Sequence, residues 1–300
     1  MSPITHALVL TAGLGTRLRP LTTVRAKPAI PVAGEPIARR IVRWLAGHGV
    51  RDIVLNLHHL PQTLTRVIGD GADLAARVRY SWEQPVVLGS AGGPRQALPI
   101  VGVDTFFLVN GDTLTDVDLE SVAAAHHRAS ALVTLALVPN TRFERYGGVL
   151  LDPDGIVAGF VSRGAAARGS FHLIGVQAVC ADAFASLSSG VPARSIGGVY
   201  DELIRSRPGS VRGFVCDARF FDIGTVADYW HTSLALGTEP LPQTIVWDDV
   251  QIEEGSTVDQ CIVTDGVRVG SGCVYRRQIL LRGPDGAIVV EPLALGDDDR

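Results

Sequence analysis

Apolar residues in the first half of the chain fall into short runs that alternate with stretches of helical spacing. Ala7-Leu8-Val9-Leu10 is a continuous apolar run of the kind buried on both faces of a parallel sheet. Ile37 to Ala46 carries apolar residues at helical spacing with Arg39, Arg40 and Arg43 to one side, and Gly47 and Gly49 punctuate it before the strand Asp52–Leu57. The same reading predicts a helix over Gln62–Ile68, a strand over Arg77–Tyr80, a helix near Pro94–Leu98 and a strand over Thr105–Val109. A helix over Leu119–Arg128 and a strand over Ala131–Val138 follow. Repeated β-α-β units of this kind predict a doubly wound, mostly parallel sheet, with ligands at the carboxyl ends of its strands.

Farther along, the texture changes. Gly148–Leu151, the turn Asp152-Pro153-Asp154-Gly155 and Ile156–Val161 read as a hairpin, with a further strand over Phe171–Val179. A helix over Thr225–Leu236 is followed by Gly237–Pro242, which has the composition of a linker, and the chain ends in the acidic Gly296–Arg300, read as a solvated tail. Between Val246 and Leu281, Ile252–Val258 and Val267–Gly272 resemble the imperfect hexapeptide repeat of a left-handed β-helix, with room for about two coils. A plain β meander is the competing description of that stretch. The chain is thereby divided into residues 1–236 and a short extension, 243–290.

Composition narrows the classes of function. The chain has 300 residues and a net charge of −4, which argues against a nucleic-acid binder. No apolar run approaches the length of a membrane span, and the first residues lead directly into a strand and not a signal peptide, so a cytoplasmic protein is expected. The four cysteines form no Cys-x-x-Cys pair and are expected to be free thiols. His58-His59 and His126-His127 lack metal-ligand spacing and read as surface or packing residues.

The richest chemistry follows the first strand. Thr11-Ala12-Gly13-Leu14-Gly15-Thr16-Arg17 is a small-residue loop leaving the carboxyl end of a buried strand, where backbone N–H groups can close on an anion. Arg17 and Lys27 supply the charge a triphosphate would need. The spacing is neither that of the dinucleotide fingerprint nor that of the Walker loop. Ala12–Thr22 with Lys27-Pro28 closely resembles the signature loop of the sugar-1-phosphate nucleotidyltransferases, Ala-Gly-x-Gly-Thr-Arg-Leu-x-Pro-Leu-Thr followed by Lys-Pro. That resemblance spans about residues 7–235.

Asn110-Gly111-Asp112 and Asp222-Ile223-Gly224-Thr225 match the family's metal aspartates, in its Asn-Gly-Asp and Asp-x-Gly-Thr motifs. The two aspartates are 110 residues apart (222 − 112), so only the fold could unite them. Glu83–Gly93 resembles a third family segment, Glu-x-x-x-Leu-Gly-Thr-Ala-Gly, with Ser90 in place of Thr and one extra residue before Leu88. The resemblance implies Arg17, Lys27, Asp112 and Asp222 as the catalytic set, with Asp112 and Asp222 holding Mg²⁺. It implies nucleotide contacts from Leu10, Ala12, Gly13, Gly15, Thr16, Glu83, Gly89 and Ser90, and a sugar phosphate held by Lys27, Arg163 and Gly147. A nucleoside triphosphate and a sugar-1-phosphate are the partners expected, and a homo-oligomer is left open.

The pattern breaks where relatives commonly carry Glu-Lys-Pro, with Glu on sugar hydroxyls and Lys on the sugar phosphate. Here the segment is Ser162-Arg163-Gly164. Arg163 can grip a phosphate, but Ser162 cannot replace a carboxylate. Mannose-1-phosphate guanylyltransferase is the narrow reading, because Glu83 beside a Leu-Gly-(Ser/Thr)-Ala-Gly loop and a short β-helix tail suit that branch. Glucose-1-phosphate thymidylyltransferases stand beside it, as do muramic-type uridylyltransferases, the latter of which also lack Glu-Lys-Pro. A catalytically silent subunit that binds nucleotide sugar is an alternative of another class. A β-helix acyltransferase is discarded, since Val246–Leu281 contains no His. The extension is expected to serve assembly or solubility more than chemistry.

Overall fold

Strand β1 (His6–Leu10) lies at the centre of the molecule, and the two faces of its neighbourhood explain its continuous apolar run. Ala7 and Val9 enter one apolar cluster and Leu8 the other, following the period-2 alternation of a strand buried on both sides. In this computed structural model, which describes residues 3–237, 241 and 243–295, β1 pairs in parallel with β2 (Asp52–Leu57). Beyond β2 lies β3 (Arg77–Trp82), and on the other side β1 pairs with β4 (Thr105–Asn110). The parallel pairing is that expected from the β-α-β alternation. Met1-Ser2, residues 238–240 and 242 of the expected linker, and the acidic tail 296–300 lie outside the described residues.

Helix α1 (Ile37–Gly47) buries Ile37, Ala38, Ile41, Val42 and Leu45 and turns its arginines away from the core. Helix α2 (Pro61–Ile68) buries Leu64 and Ile68. Helix α3 runs from Gly89 to Val101 and not from Pro94 to Leu98. Gly92, Gly93 and two prolines give that stretch little intrinsic helix propensity, so its start was hidden in the sequence. Packing sets it instead: a Cβ at Gly92 would stand 2.5 Å from the Val191 carbonyl oxygen.

After β5 (Thr113–Thr115) and α4 (Leu119–Ala129), strand β6 (Val133–Pro139) leads to the expected hairpin, β7 (Gly148–Leu151) and β8 (Val157–Val161). Strand β9 (Phe171–Cys180) then inserts antiparallel beside β4, also pairing with β6 and β7. The sheet order is β8-β7-β9-β4-β1-β2-β3, with β6 on β9 and β10 (Val211–Val215) on β6. Helix α5 (Tyr200–Ser206) and β10 were not foreseen, since both are short and half exposed. Strand β11 (Phe220–Asp222) and helix α6 (Val226–Leu236) complete this part.

The extension forms parallel rungs. Ile245 pairs with Ile262 and Ile262 with Ile279, a repeat of 17 residues (262 − 245), and Gln251 with Arg268 and Thr257 with Val274 repeat the spacing. A meander would pair antiparallel, so stacked coils are the correct description. Gln243, Gln260 and Arg277, one repeat apart, all take left-handed φ at equivalent corners. Strand Ile288–Pro292 closes the stack antiparallel to Gln278–Arg282. The coils do not stand apart from residues 1–236. Ile245, Trp247, Ile262 and Ile279 share one apolar cluster with Tyr229 and Trp230 of α6.

All four cysteines are free thiols. His126 is buried against the Thr134 hydroxyl, and burial pushes its pKa down to about 4, which is a packing role. Among the described residues, no helix is long and apolar enough to cross a membrane.

Candidate active site

The glycine loop leaves β1 at the carboxyl edge of the parallel strands, and side chains from β2 fix its course. The Thr11 amide donates to Asn56 Oδ1 at 2.5 Å, and the Thr11 hydroxyl donates to the Asn56 carbonyl. Gly15 has φ +61°, and a Cβ there would stand 2.7 Å from Thr22 Cγ2, so the close packing of the loop on the next segment requires glycine. The Thr22 hydroxyl donates to the Gly15 carbonyl at 3.0 Å. Gly13 faces open space, and among the described residues no protein acceptor takes the amides of Gly13, Leu14 or Gly15. Unpaired donors facing open space suit an anion. Leu10 closes β1 opposite Asn110, Ala12 is buried, and Thr16 opens the following short turn.

The two distant aspartates meet because β11 pairs antiparallel with β5, setting Asp222 opposite Thr113. The Ile223 amide donates to the Asp112 carbonyl at 3.0 Å. Gly111 permits this crowding, since a Cβ there would lie 2.5 Å from the Leu10 carbonyl oxygen. Lys27 is buried and its Nζ stands 2.5 Å from Asp112 Oδ2. Burial, and next the Asp112 carboxylate, raise the Asp222 carboxyl above the usual carboxylate range. Arg17 is exposed, and its guanidinium lies 3.2 Å from where a Gly224 Cβ would stand, so it reaches the same end of the sheet. Arg17, Lys27, Asp112 and Asp222 therefore converge.

Glu83 takes a different position from the one its sequence context suggested. It is fully buried, with Oε1 accepting from Asn56 Nδ2 and Oε2 from the Leu88 amide, both at 2.6 Å. Through Asn56 it reaches the glycine loop, and through Leu88 it fixes the start of α3. Its carboxylate organises the wall and is not open to a ligand. Gly89 and Ser90 form the first turn of α3. Gly89 needs its positive φ and the absence of Cβ beside the Ala193 carbonyl, and Ser90 Oγ accepts from the Ser195 amide at 2.9 Å.

A cavity of about 690 Å³ opens beside Asp222, lined among others by Arg145, Tyr146, His172, Phe220, Asp222 and Asp228. Tyr146 stacks on His172 with centroids 4.1 Å apart, and Phe220 lies 5.1 Å from His172. Burial pushes the His172 pKa down to about 4, so the platform is uncharged at neutral pH. Arg145 pairs with Asp228 at 2.6 Å and stands 3.9 Å from Asp222. Asp228 also completes a capping box with Thr225 at the start of α6.

Sequence reading missed Arg145, Tyr146, His172 and Asp228. The available signals were Arg145-Tyr146-Gly147 before a strand and an acid three residues past Thr225. Gly147 packs on β8, 3.0 Å from the Val161 carbonyl oxygen at its Cβ position. Arg163 is exposed past β8 and is not among the residues lining this cavity. Among the residues lining the cavity, Arg145 is the cation that stands 3.9 Å from Asp222.

Several known proteins are similar to this chain. The family model described as nucleotidyl transferase matches residues 6–239. An N-acetylmuramate alpha-1-phosphate uridylyltransferase from Neisseria meningitidis serogroup B is 34% identical over 73% of this chain and 93% of its own. A mannose-1-phosphate guanylyltransferase from Mycobacterium tuberculosis is 27% identical over 90% of this chain and 83% of its own. The crystal structure of HddC from Yersinia pseudotuberculosis superposes with a TM-score of 0.66 at 22% identity, over 77% of this chain and 99% of that one.

Proposed function

This chain belongs to the nucleotidyl transferase family, and from that premise we propose that it joins a nucleoside triphosphate to a sugar-1-phosphate, releasing pyrophosphate. The observation that carries the proposal is the convergence of Lys27, Asp112 and Asp222 beside a glycine loop with unpaired amides. In this reaction a phosphate oxygen of the sugar-1-phosphate attacks the α-phosphorus. The bond from the α-phosphorus to the bridging oxygen breaks, and pyrophosphate leaves with that oxygen. The nucleophile is already an anion, so the site needs no strong base. Its task is to bring two polyanions together and neutralise the charge that develops.

The residues divide that task. The amides of Gly13, Leu14 and Gly15 with Arg17 receive the triphosphate, and Lys27 faces the reacting phosphates. Asp112 and Asp222 suit a divalent cation such as Mg²⁺. They are hard oxygen donors, one in the turn between β4 and β5 and one in β11. Burial, and next the Asp112 carboxylate, raise the Asp222 carboxyl, and a dication would relieve that repulsion. Such an ion, when bound, supplies charge neutralisation at the phosphates. The Tyr146–His172–Phe220 platform takes the apolar face of the sugar, and Arg145 takes its phosphate.

The narrower proposal is a guanylyl transfer to mannose-1-phosphate or a related sugar. The M. tuberculosis relative, a mannose-1-phosphate guanylyltransferase 27% identical over 90% of this chain, supports it. A uridylyl transfer to a muramic-type sugar is the second reading, favoured by the Neisseria relative and by Ser162-Arg163-Gly164 in place of Glu-Lys-Pro. A silent subunit would have no use for the preserved Lys27–Asp112–Asp222 set. Crossing five triphosphates with a panel of sugar-1-phosphates, and following pyrophosphate release with and without Mg²⁺, tests the proposal. Release is expected for one dominant pair and only with the metal. Release that is independent of the sugar, or none with any pair, contradicts it.

A paired substitution locates the acceptor. Arg145→Ala is expected to raise the sugar-phosphate KM or lower kcat/KM by about 10–100-fold, the loss of one charge-assisted contact, with the NTP KM little changed. Arg163→Ala is expected to change both by less. A larger acceptor effect from Arg163→Ala would move the sugar phosphate to the Ser162-Arg163-Gly164 turn.

A further inference from the structure

The segment that carries Lys27 is held from a second direction, by the C-terminal coils. Arg25, two residues before Lys27, is 7% exposed. Its Nε and Nη2 donate to the two carboxylate oxygens of Asp265, both at 2.6 Å, and Nη2 also donates to Asp248 at 2.5 Å. Asp248 and Asp265 occupy equivalent places on adjacent coils, one repeat of 17 residues apart (265 − 248). The guanidinium carbon lies 5.5 Å from the centroid of the Trp247 ring, and Nη1 donates back to the Ala29 carbonyl at 3.3 Å. One side chain therefore ties the turn Arg25–Ala29 to itself and to two coils.

That turn supports the site from beneath. Thr22 holds the Gly15 carbonyl, and Lys27 Cβ lies 3.2 Å from the Cβ position of Gly15, so the glycine loop rests on this segment. Lys27 then reaches Asp112. Trp247 adds a second strut: its Nε1 donates to the Tyr229 hydroxyl at 2.8 Å, and that hydroxyl donates to the Pro31 carbonyl at 2.8 Å. Tyr229 directly follows Asp228, the carboxylate paired with Arg145. The first coil thus touches both arms of the site through a single tryptophan.

We propose that the coils are part of the catalytic apparatus as a positioning device, and that Arg25 is the positioning residue that sets Lys27 against Asp112. A planar guanidinium gripped bidentately fixes orientation as well as distance, which a surface ion pair would not. A displacement of about 1 Å at a group facing the reacting phosphates is enough to lower turnover markedly. The inference rests on the functional reading above, in which Lys27 acts on those phosphates. It assigns to the coils more than assembly or solubility.

The test is a cycle on the full chain. Removing Arg25 alone leaves two carboxylates without their cation, so the informative variant is Arg25→Met/Asp248→Asn/Asp265→Asn, which removes the buried guanidinium together with the two carboxylates that pair with it. Its kcat is expected to fall about tenfold or more, with both KM values changing less. In a Lys27→Met background the same triple change is expected to cost under about twofold, because the residue it positions is gone. The melting temperature should shift equally in both backgrounds. Equal fold-losses of kcat in the two backgrounds, or an unchanged kcat, would overturn the proposal.

Should the triple variant not fold, Asp248→Asn keeps the Asp265 fork and is expected to give a smaller kcat loss with the same dependence on Lys27. Amide exchange supplies a readout independent of turnover. Protection over residues 21–29 is expected to fall in the variant while that of β2 is unchanged, and unaltered protection of residues 21–29 counts against the proposal. Failure of the wild-type protein to turn over any substrate pair would instead remove the functional reading, so the two failures are distinguishable.

Discussion

Asp112→Asn is expected to lower turnover by about 10²–10³-fold, the usual consequence of removing one transition-state stabiliser. The fold should survive it. Asn has the shape of Asp, its Oδ1 can still accept from Lys27 Nζ, and the Asp112 backbone carbonyl keeps the Ile223 amide. What is lost is one of the two negative charges at the junction of β5 and β11. Pyrophosphate release at saturating substrate, measured beside thermal unfolding, checks both halves. Near-normal release from Asp112→Asn would sink its assignment as a metal ligand, and a collapsed melting temperature would make it a structural residue.

Glu83→Ala is expected to have the largest effect on stability, about 2–5 kcal/mol. Each side-chain oxygen of Glu83 accepts from a buried donor, Asn56 Nδ2 or the Leu88 amide, and an unsatisfied buried donor costs about 1–3 kcal/mol. The damage should spread in a definite direction. Asn56 also accepts from the Thr11 amide, so its release loosens the glycine loop and raises the NTP KM more than the sugar-phosphate KM. Glu83→Gln should fall between wild type and Glu83→Ala, since its amide can serve one of the two donors but faces the other with a donor of its own. Denaturant midpoints and the two KM values check this. A stable Glu83→Ala protein with an altered NTP KM would return Glu83 to direct nucleotide contact.

Much of the fold is local and therefore readable. The apolar run Ala7–Leu10, the helical spacing of α1 and the Asp-Pro-Asp-Gly turn each report on their own neighbourhood, and the structure has strand, helix and hairpin there. The 17-residue rungs of the coils were visible only as an imperfect repeat, because few positions per coil point inward. The start of α3 was hidden because its glycines and prolines disfavour helix intrinsically. The fold accepts them only where the 191–193 segment comes close.

The site divides in the same way. The glycine loop and Lys27 lie close in sequence, and Asp112 and Asp222 carried recognisable contexts, so convergence could be anticipated. Arg145-Tyr146 offered only their place before a strand, and His172 offered nothing. Tyr146 and His172 belong to different segments, and only the pairing of β9 with β6 and β7 stacks one ring on the other. Arg25 is the extreme case. A lone arginine before Ala26-Lys27 reads as one more loop cation until the coils bring two aspartates to it from more than 220 residues away.

The central claim is a transfer at the α-phosphorus. It is tested most directly by following two labels in one incubation of the purified chain with Mg²⁺ and the best substrate pair, one in the α-phosphate and one in the γ-phosphate of the triphosphate. The α-label is expected to appear in a nucleoside diphosphate sugar and the γ-label in pyrophosphate, in equal amounts and only when the sugar-1-phosphate is present. Release of the γ-label as inorganic phosphate, or loss of the α-label's dependence on the sugar, would contradict the account.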